Sequence, residues 1–217
     1  MNKEIAIVIP ALNEAASIES VINVASEYGT VIVVNDGSSD LTAEIAINAG
    51  AVVVTHMFNL GYEAALTSGL EKATEIGCKY AVTLDADGQH NPNILIQFSD
   101  HFMRGKRLVL GVRDVHQRIG EKIFSIVGNF LWGIKDPLCG MKGYKLDLFI
   151  DHGSFDTLRA VGVEFAVKCI RQERKNVGEV QIKTRPREGE SRYGGSIKAN
   201  IKILLALMRM MKVYGFR

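Results

Sequence analysis

Five short apolar runs recur along the first half of the chain, and each is followed by polar or turn residues and then by a segment with helical periodicity. The runs are Ile5–Ile9, Val31–Val34, Ala51–Thr55, Tyr80–Leu84 and Leu108–Gly111. Strands that are apolar throughout, rather than at alternate positions, are typical of a parallel sheet covered by helices on both faces. The pattern therefore predicts an α/β fold with a mostly parallel central sheet.

The second half of the chain is less regular than the first. Helical patterns cover about residues 119–132, 163–175 and 196–213, and residues 178–184 alternate as a strand would. No linker separates the two halves, so we expect a single domain over residues 1–217.

Composition and charge exclude several classes of protein. The net charge is +2, which gives no indication of a nucleic-acid partner, and no run of about 18 apolar residues could span a membrane. The three cysteines are widely spaced and form no CxxC pair, as in a protein with reduced thiols. No signal peptide precedes the first strand, so we expect a cytoplasmic protein.

Two carboxylates close the fourth apolar run, Asp85 and Asp87 in the segment DADGQH. Alternate residues of a strand point to the same face, so both side chains should leave the sheet on one side. Adjacent carboxylates repel each other, and burial raises that cost unless a cation lies between them. Such oxygen ligands suit Mg²⁺ or Mn²⁺, which commonly completes its coordination with substrate phosphates. A polar loop after a strand is the alternative interpretation of these two residues alone.

Polar and turn residues follow each of the five predicted strands. The segments are Pro10–Glu14, Asn35–Asp40, His56–Gly61, Asp85–His90 and Gly111–Asp114. In open parallel sheets, ligands bind at the carboxyl ends of the strands, so these segments predict a nucleotide site along one edge. No GxGxxG follows the first strand, which argues against a Rossmann-type oxidoreductase.

Several segments together resemble the family 2 glycosyltransferases of GT-A fold, and most closely their polyprenyl-phosphate branch, typified by dolichol-phosphate mannose synthase. The matching segments are IVIPALNE, VIVVNDGSSDLT, NLG, TLDADGQH, GVRD, DPLCGMKGY, EFAVK and REGESRYGGS, in the family's order. The resemblance implies a Rossmann-like GT-A sheet with a nucleotide-sugar half of about residues 1–112 and an acceptor half of about residues 113–217.

The resemblance assigns residues to the donor and the metal. Asp36 would read the base, although Asp-Gly-Ser also favours turns and a turn role is the alternative. Asp85 would lie at the ribose and the metal, Asp87 would be the metal ligand proper, and Gln89 would be a third ligand. The other donor-binding positions that the resemblance implies are Pro10, Asn13, Glu14 and Gly61.

One departure from the family pattern follows the NLG segment, where many relatives have glycine or lysine and this chain has Tyr62 and Glu63. A carboxylate beside a pyrophosphate is unfavourable by Coulomb repulsion. We therefore expect Glu63 to point away, in the first turn of its helix, where the helix dipole favours a negative charge.

The implied reaction is the metal-dependent, inverting transfer of a hexose, of mannose or glucose type, from a GDP- or UDP-type sugar to a polyprenyl phosphate. A divalent cation held by Asp87 and Asp85 would neutralise the charge on the departing diphosphate. The acceptor phosphate is already anionic and needs cations to hold it rather than a strong base. The cations in family motifs are Arg113, which is also taken as catalytic, Arg118, Lys122, Arg187 and Arg192. Solvated surface charge is the alternative for several of them.

Asp136 matches an acidic position that many family members use near the acceptor, and it is taken as catalytic. With a sugar hydroxyl as acceptor, as in polysaccharide or lipopolysaccharide synthesis, it would be the general base. With a phosphate acceptor it would organise the site. A third hypothesis is a non-catalytic nucleotide-binding subunit of a membrane complex.

The end of the chain is basic and amphipathic. Residues 183–217 hold nine Lys and Arg against two Glu. The apolar face predicted for the terminal helix is Ile197, Ile201, Leu204, Leu205, Met208 and Met210 or Met211. Such a helix suits the surface of an anionic bilayer and predicts peripheral attachment at the inner face of the membrane, directly or through a membrane-protein partner. A helix docked on the core is the alternative, and a homo-oligomer is also left open.

Overall fold

The computed structural model describes residues 4–88, 91–116, 118–152, 155, 158, 160, 162–173, 175–183 and 196–215. The strands of this part of the chain are β1 Ile5–Ala11, β2 Thr30–Asn35, β3 Val52–Thr55, β4 Tyr80–Thr83, β5 Leu108–Arg113, β6 Lys142–Lys145 and β7 Val177–Ile182. Its α-helices are α1 Ile18–Ala25, α2 Thr42–Asn48, α3 Tyr62–Glu75, α4 Leu95–Met103, α5 Ile119–Trp132, α6 Leu146–His152, α7 Val163–Gln172 and α8 Ser196–Tyr214. A short 3-10 helix, Pro92–Ile94, leads into α4.

The strands form one sheet in the order β3-β2-β1-β4-β6-β5-β7. β6 runs antiparallel to both of its neighbours, and the other neighbouring pairs are parallel. The predicted α/β fold with a mostly parallel sheet is therefore confirmed. Because β1 lies between β2 and β4, the carboxyl ends of these three strands are side by side, which places the polar segments that follow them along one edge.

The sequence pattern does not predict β6, because Lys142–Lys145 reads Lys-Gly-Tyr-Lys and contains no apolar run. The strand is nevertheless near the centre of the sheet, and its first three residues are buried. Gly143 allows this packing, since a Cβ atom there would lie 2.7 Å from the ring of Phe102. Tertiary contacts thus outweigh a weak local preference.

Separate hydrophobic layers cover the two faces of the sheet, which explains why strand residues of both parities are apolar. Ile7 and Ile9 of β1 pack on the side of α1 and α4, whereas Val8 packs on the side of α3. Gly69 of α3 lies against β1 so closely that a Cβ atom there would be 2.2 Å from a methyl carbon of Val8. This close approach determines the position of α3 on the sheet. The first residues of α3 lie at the polar edge of the sheet.

Helices α5 and α8 pack together and leave further apolar side chains exposed. The Gly120 backbone N–H of α5 donates to Asn200 Oδ1 of α8 at 2.7 Å. α8 buries Ala199, Ile203, Ala206, Leu207 and Met210. The exposed apolar side chains of the pair, which we call the α5–α8 face, are Ile119, Ile123, Ile126 and Phe130 of α5 with Ile197, Ile201, Leu205, Met208, Met211 and Val213 of α8.

The predicted apolar face of the terminal helix is therefore divided between the core and the surface. Met210 is buried and Leu204 is half-buried, whereas Ile197, Ile201 and Leu205 are exposed. One side of α8 docks on the body of the protein, and another side is exposed as far as the described residues show. Among the described residues, no helix combines the length and the apolar character that crossing a bilayer requires.

Candidate active site

The loops that follow β1 and β2 are locked together by hydrogen bonds. Asn13 lies in the left-handed region with a φ of 54°, a conformation that asparagine tolerates better than most residues. Its backbone N–H donates to Ser38 Oγ at 3.0 Å, and its Oδ1 accepts from the Ser39 N–H at 2.8 Å. Asn13, which the resemblance places at the donor, therefore holds the two loops in register.

The same pair of loops is joined a second time through Asp40. The Glu14 N–H donates to Thr42 Oγ1 at 2.9 Å, and the Ala15 N–H donates to Asp40 Oδ2 at 3.1 Å. Although burial alone would raise the pKa of Asp40, hydrogen bonds from Thr42 and Ala15 lower it below its ordinary value. Pro10 and Glu14 are buried beside these contacts. Three of the predicted donor positions thus belong to a hydrogen-bonded rim next to β4.

Asp36 is buried at the end of β2, where its carboxylate accepts hydrogen bonds from the loop after β3. Oδ1 accepts from the Leu60 N–H at 2.8 Å, and Oδ2 accepts from the Gly61 N–H at 2.9 Å. Gly37 allows the loop to come this close: its φ is +73°, and a Cβ atom there would lie 2.6 Å from the backbone of Phe58. The predicted donor residues Asp36 and Gly61 are therefore in direct contact.

His56 joins this cluster, and the sequence motifs assign it no role. Its Nδ1 lies 2.7 Å from Asp36 Oδ1, and its Nε2 lies 3.0 Å from Ser68 Oγ on α3. The carboxylate of Asp36 is thus oriented from both sides, by backbone groups and by an imidazole.

Tyr62 connects this cluster to the carboxylates that follow β4. Its hydroxyl donates to Asp85 Oδ1 at 3.1 Å, and it begins α3 directly after Gly61. The residue that departs from the family pattern is therefore part of the site. Glu63 lies in the first turn of α3, as predicted.

Asp85 and Asp87 lie at the carboxyl end of β4, and Asp87 is buried. Asp85 packs against the backbone of Gly140, where a Cβ atom would be 2.3 Å from its Oδ2. Within the described ranges, no three His, Cys, Asp or Glu side chains form a complete metal shell. Two carboxylates are what Mg²⁺ or Mn²⁺ requires when phosphates and water supply its other ligands, so the residues present fit such an ion. Gln89, the predicted third ligand, lies outside the described residues.

A buried lysine lies behind these carboxylates. Lys142 Nζ donates to the Cys139 carbonyl oxygen, and the side chain is almost fully buried. Burial lowers the pKa of Lys142, and the nearby negative charges of Asp136 and Asp85 act against that shift. Lys142 therefore lies within electrostatic range of the two predicted acidic positions, Asp85 and Asp136.

Arg113 and Asp136 form a bidentate ion pair at the end of β5. Arg113 Nε donates to Asp136 Oδ2 at 2.7 Å, and Arg113 Nη2 donates to Asp136 Oδ1 at 2.9 Å. Burial opposes ionisation of both groups, but the pair raises the pKa of Arg113 and lowers the pKa of Asp136. Glu121 lies 3.3 Å from Arg113 Nη1 and also accepts from Arg118 at 2.9 Å.

The remaining cations that were predicted at the acceptor fall into two groups. Arg118 and the exposed Lys122 stand at the start of α5, next to the Arg113–Asp136 pair. Arg187 and Arg192 lie outside the described residues. Glu121 is a further member of this cluster that the motifs do not reveal, because a glutamate in the first turn of a helix is common and carries no signal by itself.

Comparison with known proteins agrees with this arrangement. The model of glycosyl transferase family 2 matches residues 6–126. An uncharacterized protein of Methanocaldococcus jannaschii is 32% identical over 97% of this chain and 93% of its own length. The UDP-N-acetylglucosamine–dolichyl-phosphate N-acetylglucosaminyltransferase of Methanococcus voltae is 28% identical over 98% of each chain.

The fold has solved counterparts as well. A crystal structure of glucosyl-3-phosphoglycerate synthase from Mycobacterium tuberculosis, in complex with Mn²⁺, UDP and glucosyl-3-phosphoglycerate, superposes with a TM-score of 0.76 at 19% identity, covering 100% of this chain and 81% of that chain. At this identity the likeness concerns the fold alone. Together with the family match, it shows that this chain belongs to glycosyl transferase family 2 and is a glycosyltransferase of GT-A fold.

Proposed function

We propose that this glycosyltransferase moves a hexose from a nucleotide diphosphate sugar to a polyprenyl phosphate, with inversion and with a divalent cation. The observation that carries the proposal is the placement of Asp36 and of Asp85 with Asp87 at one edge of the sheet, on strands separated only by β1. Two strand spacings are roughly 10 Å, which leaves room for a nucleoside between the base-reading carboxylate and the metal ligands. The Methanococcus voltae relative is named for a dolichyl-phosphate acceptor, which supports the choice of lipid.

On the donor side, Asp87 and Asp85 would hold Mg²⁺ or Mn²⁺. The bound cation would stabilise the charge that develops on the departing diphosphate. The Tyr62 hydroxyl orients Asp85 by donating a hydrogen bond to it. Tyr62 also lies at the N-terminus of α3, which adds a partial positive charge at the same edge of the sheet. The residues of this chain thus position the diphosphate and favour its departure.

On the acceptor side, the hydrogen bonds and the lowered pKa of Asp136 favour a phosphate acceptor over a sugar hydroxyl acceptor. Both of its oxygens accept from Arg113 and its pKa is lowered, so it is a weak base. A phosphate nucleophile is already anionic and needs no proton removed. We propose that Asp136 positions Arg113, and that Arg113, Arg118 and Lys122, with Arg187 and Arg192, attract the acceptor phosphate.

A transferase assay tests the reaction. Purified protein with Mn²⁺, labelled UDP- and GDP-sugars and a short polyprenyl phosphate is expected to give a lipid-linked sugar. Absence of such a product with every donor would contradict the proposal. Nucleotide binding without any turnover would instead favour the non-catalytic subunit.

Asp136→Asn separates the proposal from the alternative with a hydroxyl acceptor. If Asp136 only positions Arg113, the rate should fall no more than about tenfold, because no proton transfer depends on it. General-base catalysis contributes about 10²–10⁴-fold, so a loss in that range would favour the alternative. Circular dichroism of the variant checks that the fold is retained.

We also propose that the α5–α8 face rests on the headgroup region of an anionic membrane. Both neighbouring helices expose apolar side chains, and the exposed cations of α8 are Lys198, Lys202, Arg209 and Lys212. A basic amphipathic surface of this kind is attracted to anionic lipid and inserts its apolar side chains into the interface. A polyprenyl phosphate carries its phosphate at the same level.

Serine at Ile126, Phe130, Ile201 and Leu205 should weaken binding to phosphatidylglycerol–phosphatidylcholine vesicles by about tenfold or more. These side chains are exposed, so the melting temperature should change little. Ile47→Ser, at a position on α2 that is 60% exposed, is the matched control and should leave vesicle binding unchanged. If the quadruple variant bound vesicles like the wild type, the face would be assigned to a protein partner instead.

A further inference from the structure

We propose that His56 sets the base preference of the donor site, so that uracil and thymine nucleotides bind in preference to guanine nucleotides. The inference rests on the proposed function, in which Asp36 meets the base. It concerns which hydrogen-bonding positions on that carboxylate are still open to a ligand.

A carboxylate offers about four lone-pair positions, two on each oxygen. Among the described residues, Oδ1 of Asp36 accepts from the Leu60 N–H at 2.8 Å and from His56 Nδ1 at 2.7 Å. Oδ2 accepts from the Gly61 N–H at 2.9 Å. These partners fill Oδ1 and leave one position on Oδ2.

The contacts of His56 hold its ring in one orientation. A carboxylate oxygen can only accept, so Nδ1 carries the proton and donates to Asp36. Nε2 lies 3.0 Å from the Ser68 hydroxyl, which can donate to it or accept from it. Both ring nitrogens are satisfied and the imidazole is nearly buried, so the ring cannot easily turn away from Oδ1.

The bases differ in what they present to such a carboxylate. Uracil and thymine present one ring N–H between two carbonyl groups, which a single free position on Oδ2 can accept. Guanine presents a ring N–H and an amino group side by side, and the pair needs an open position on each oxygen. Cytosine presents an acceptor ring nitrogen in place of that N–H, with an amino donor beside it. With Oδ1 filled, guanine would leave a donor unpaired, which should weaken its binding by about ten- to a hundredfold.

The test is calorimetric binding of UDP, TDP, CDP and GDP, each with Mn²⁺, to the full chain and to two variants. Wild type should bind UDP and TDP about ten- to a hundredfold more tightly than GDP. His56→Phe keeps a ring of similar size but removes the donor to Oδ1, so the ratio of UDP to GDP affinity should fall to within about threefold of unity. Ser68→Ala keeps the His56–Asp36 contact and should keep the wild-type ratio.

The affinity ratio distinguishes this role from a merely structural one, which would weaken all four nucleotides alike. A wild-type protein that binds GDP as tightly as UDP would overturn the proposal, and so would a His56→Phe protein that keeps the wild-type ratio. Should His56→Phe fail to fold, His56→Leu gives the same comparison, and the wild-type ratio stands as an independent test. Failure to bind any of the four nucleotides would instead reject the proposed function itself.

Discussion

Replacing Asp87 by asparagine is expected to lower kcat/KM for sugar transfer by about a thousandfold or more. Asparagine keeps the shape of the side chain but removes the negative charge that would hold the cation against the diphosphate. Stabilisation of a leaving group by a metal is worth several kcal/mol, and each 1.4 kcal/mol is about a tenfold change in rate. Initial rates over a range of Mn²⁺ and donor concentrations measure the effect.

Two further variants test whether the loss of activity in Asp87→Asn comes from the candidate metal site. Asp85→Asn should cause a loss of similar order and should raise the Mn²⁺ concentration needed for activity. Glu75→Gln removes a carboxylate of an exposed ion pair with Lys72 and should leave kcat/KM unchanged. If Asp87→Asn stayed within tenfold of wild type with the same Mn²⁺ dependence, Asp87 would not be the metal ligand.

Replacing Arg113 by methionine is expected to lower the free energy of unfolding by about 3–5 kcal/mol. Asp136 is buried, with only 1% of its side chain exposed, and Arg113 donates three hydrogen bonds to it. One of these comes from the backbone and remains in the variant, but the charge of the guanidinium does not. Removing one partner of a buried pair leaves the other charge uncompensated, and Glu121 loses a neighbour as well. Urea denaturation at neutral pH measures the loss.

The contribution of the Arg113–Asp136 pair to the free energy of unfolding should decrease in acid. The pKa of Asp136 is lowered in the folded protein, so the pair stabilises the fold above the ordinary carboxyl pKa of about 4. That contribution should disappear as the pH falls through the lowered pKa of Asp136. The difference between wild type and Arg113→Met should therefore narrow in acid.

Two controls make the Arg113 result interpretable. Lys79→Met breaks an exposed pair with Glu4 and should leave the free energy of unfolding almost unchanged. The double variant Arg113→Met, Asp136→Asn removes the orphaned charge and should recover part of the loss. If Arg113→Met were as stable as wild type, the Arg113–Asp136 pair would not contribute to stability as a buried ion pair.

The parallel part of the fold could be predicted from sequence because its strands are apolar on both faces. β1, β2 and β4 each read as a continuous apolar run, and the segments after them carry the family motifs. β6 could not be predicted in this way, since a Lys-Gly-Tyr-Lys segment becomes a central strand only when the neighbouring helices and strands bury it.

Family motifs indicated the acidic residues of the site, but they could not show what those residues contact. The contacts of Asp36 with His56, and of Asp85 with Tyr62, join residues 20 and 23 positions apart in the chain. Such pairs arise from the packing of α3 on the sheet, which depends on Gly69 and on the turn at Gly37. The ion pair between Arg113 and Asp136 likewise depends on where the loop before β6 returns to β5.

The central claim is that the carboxylates at the end of β4 and the diphosphate of the donor together hold a divalent cation. Crystals grown with Mn²⁺ and UDP, measured at the manganese absorption edge, test it directly. We predict an anomalous peak from one manganese ion within bonding distance of both the Asp87 carboxylate and the diphosphate. Asp85 should lie beside this ion. A nucleotide bound without metal at this place, or bound elsewhere on the protein, would contradict the account.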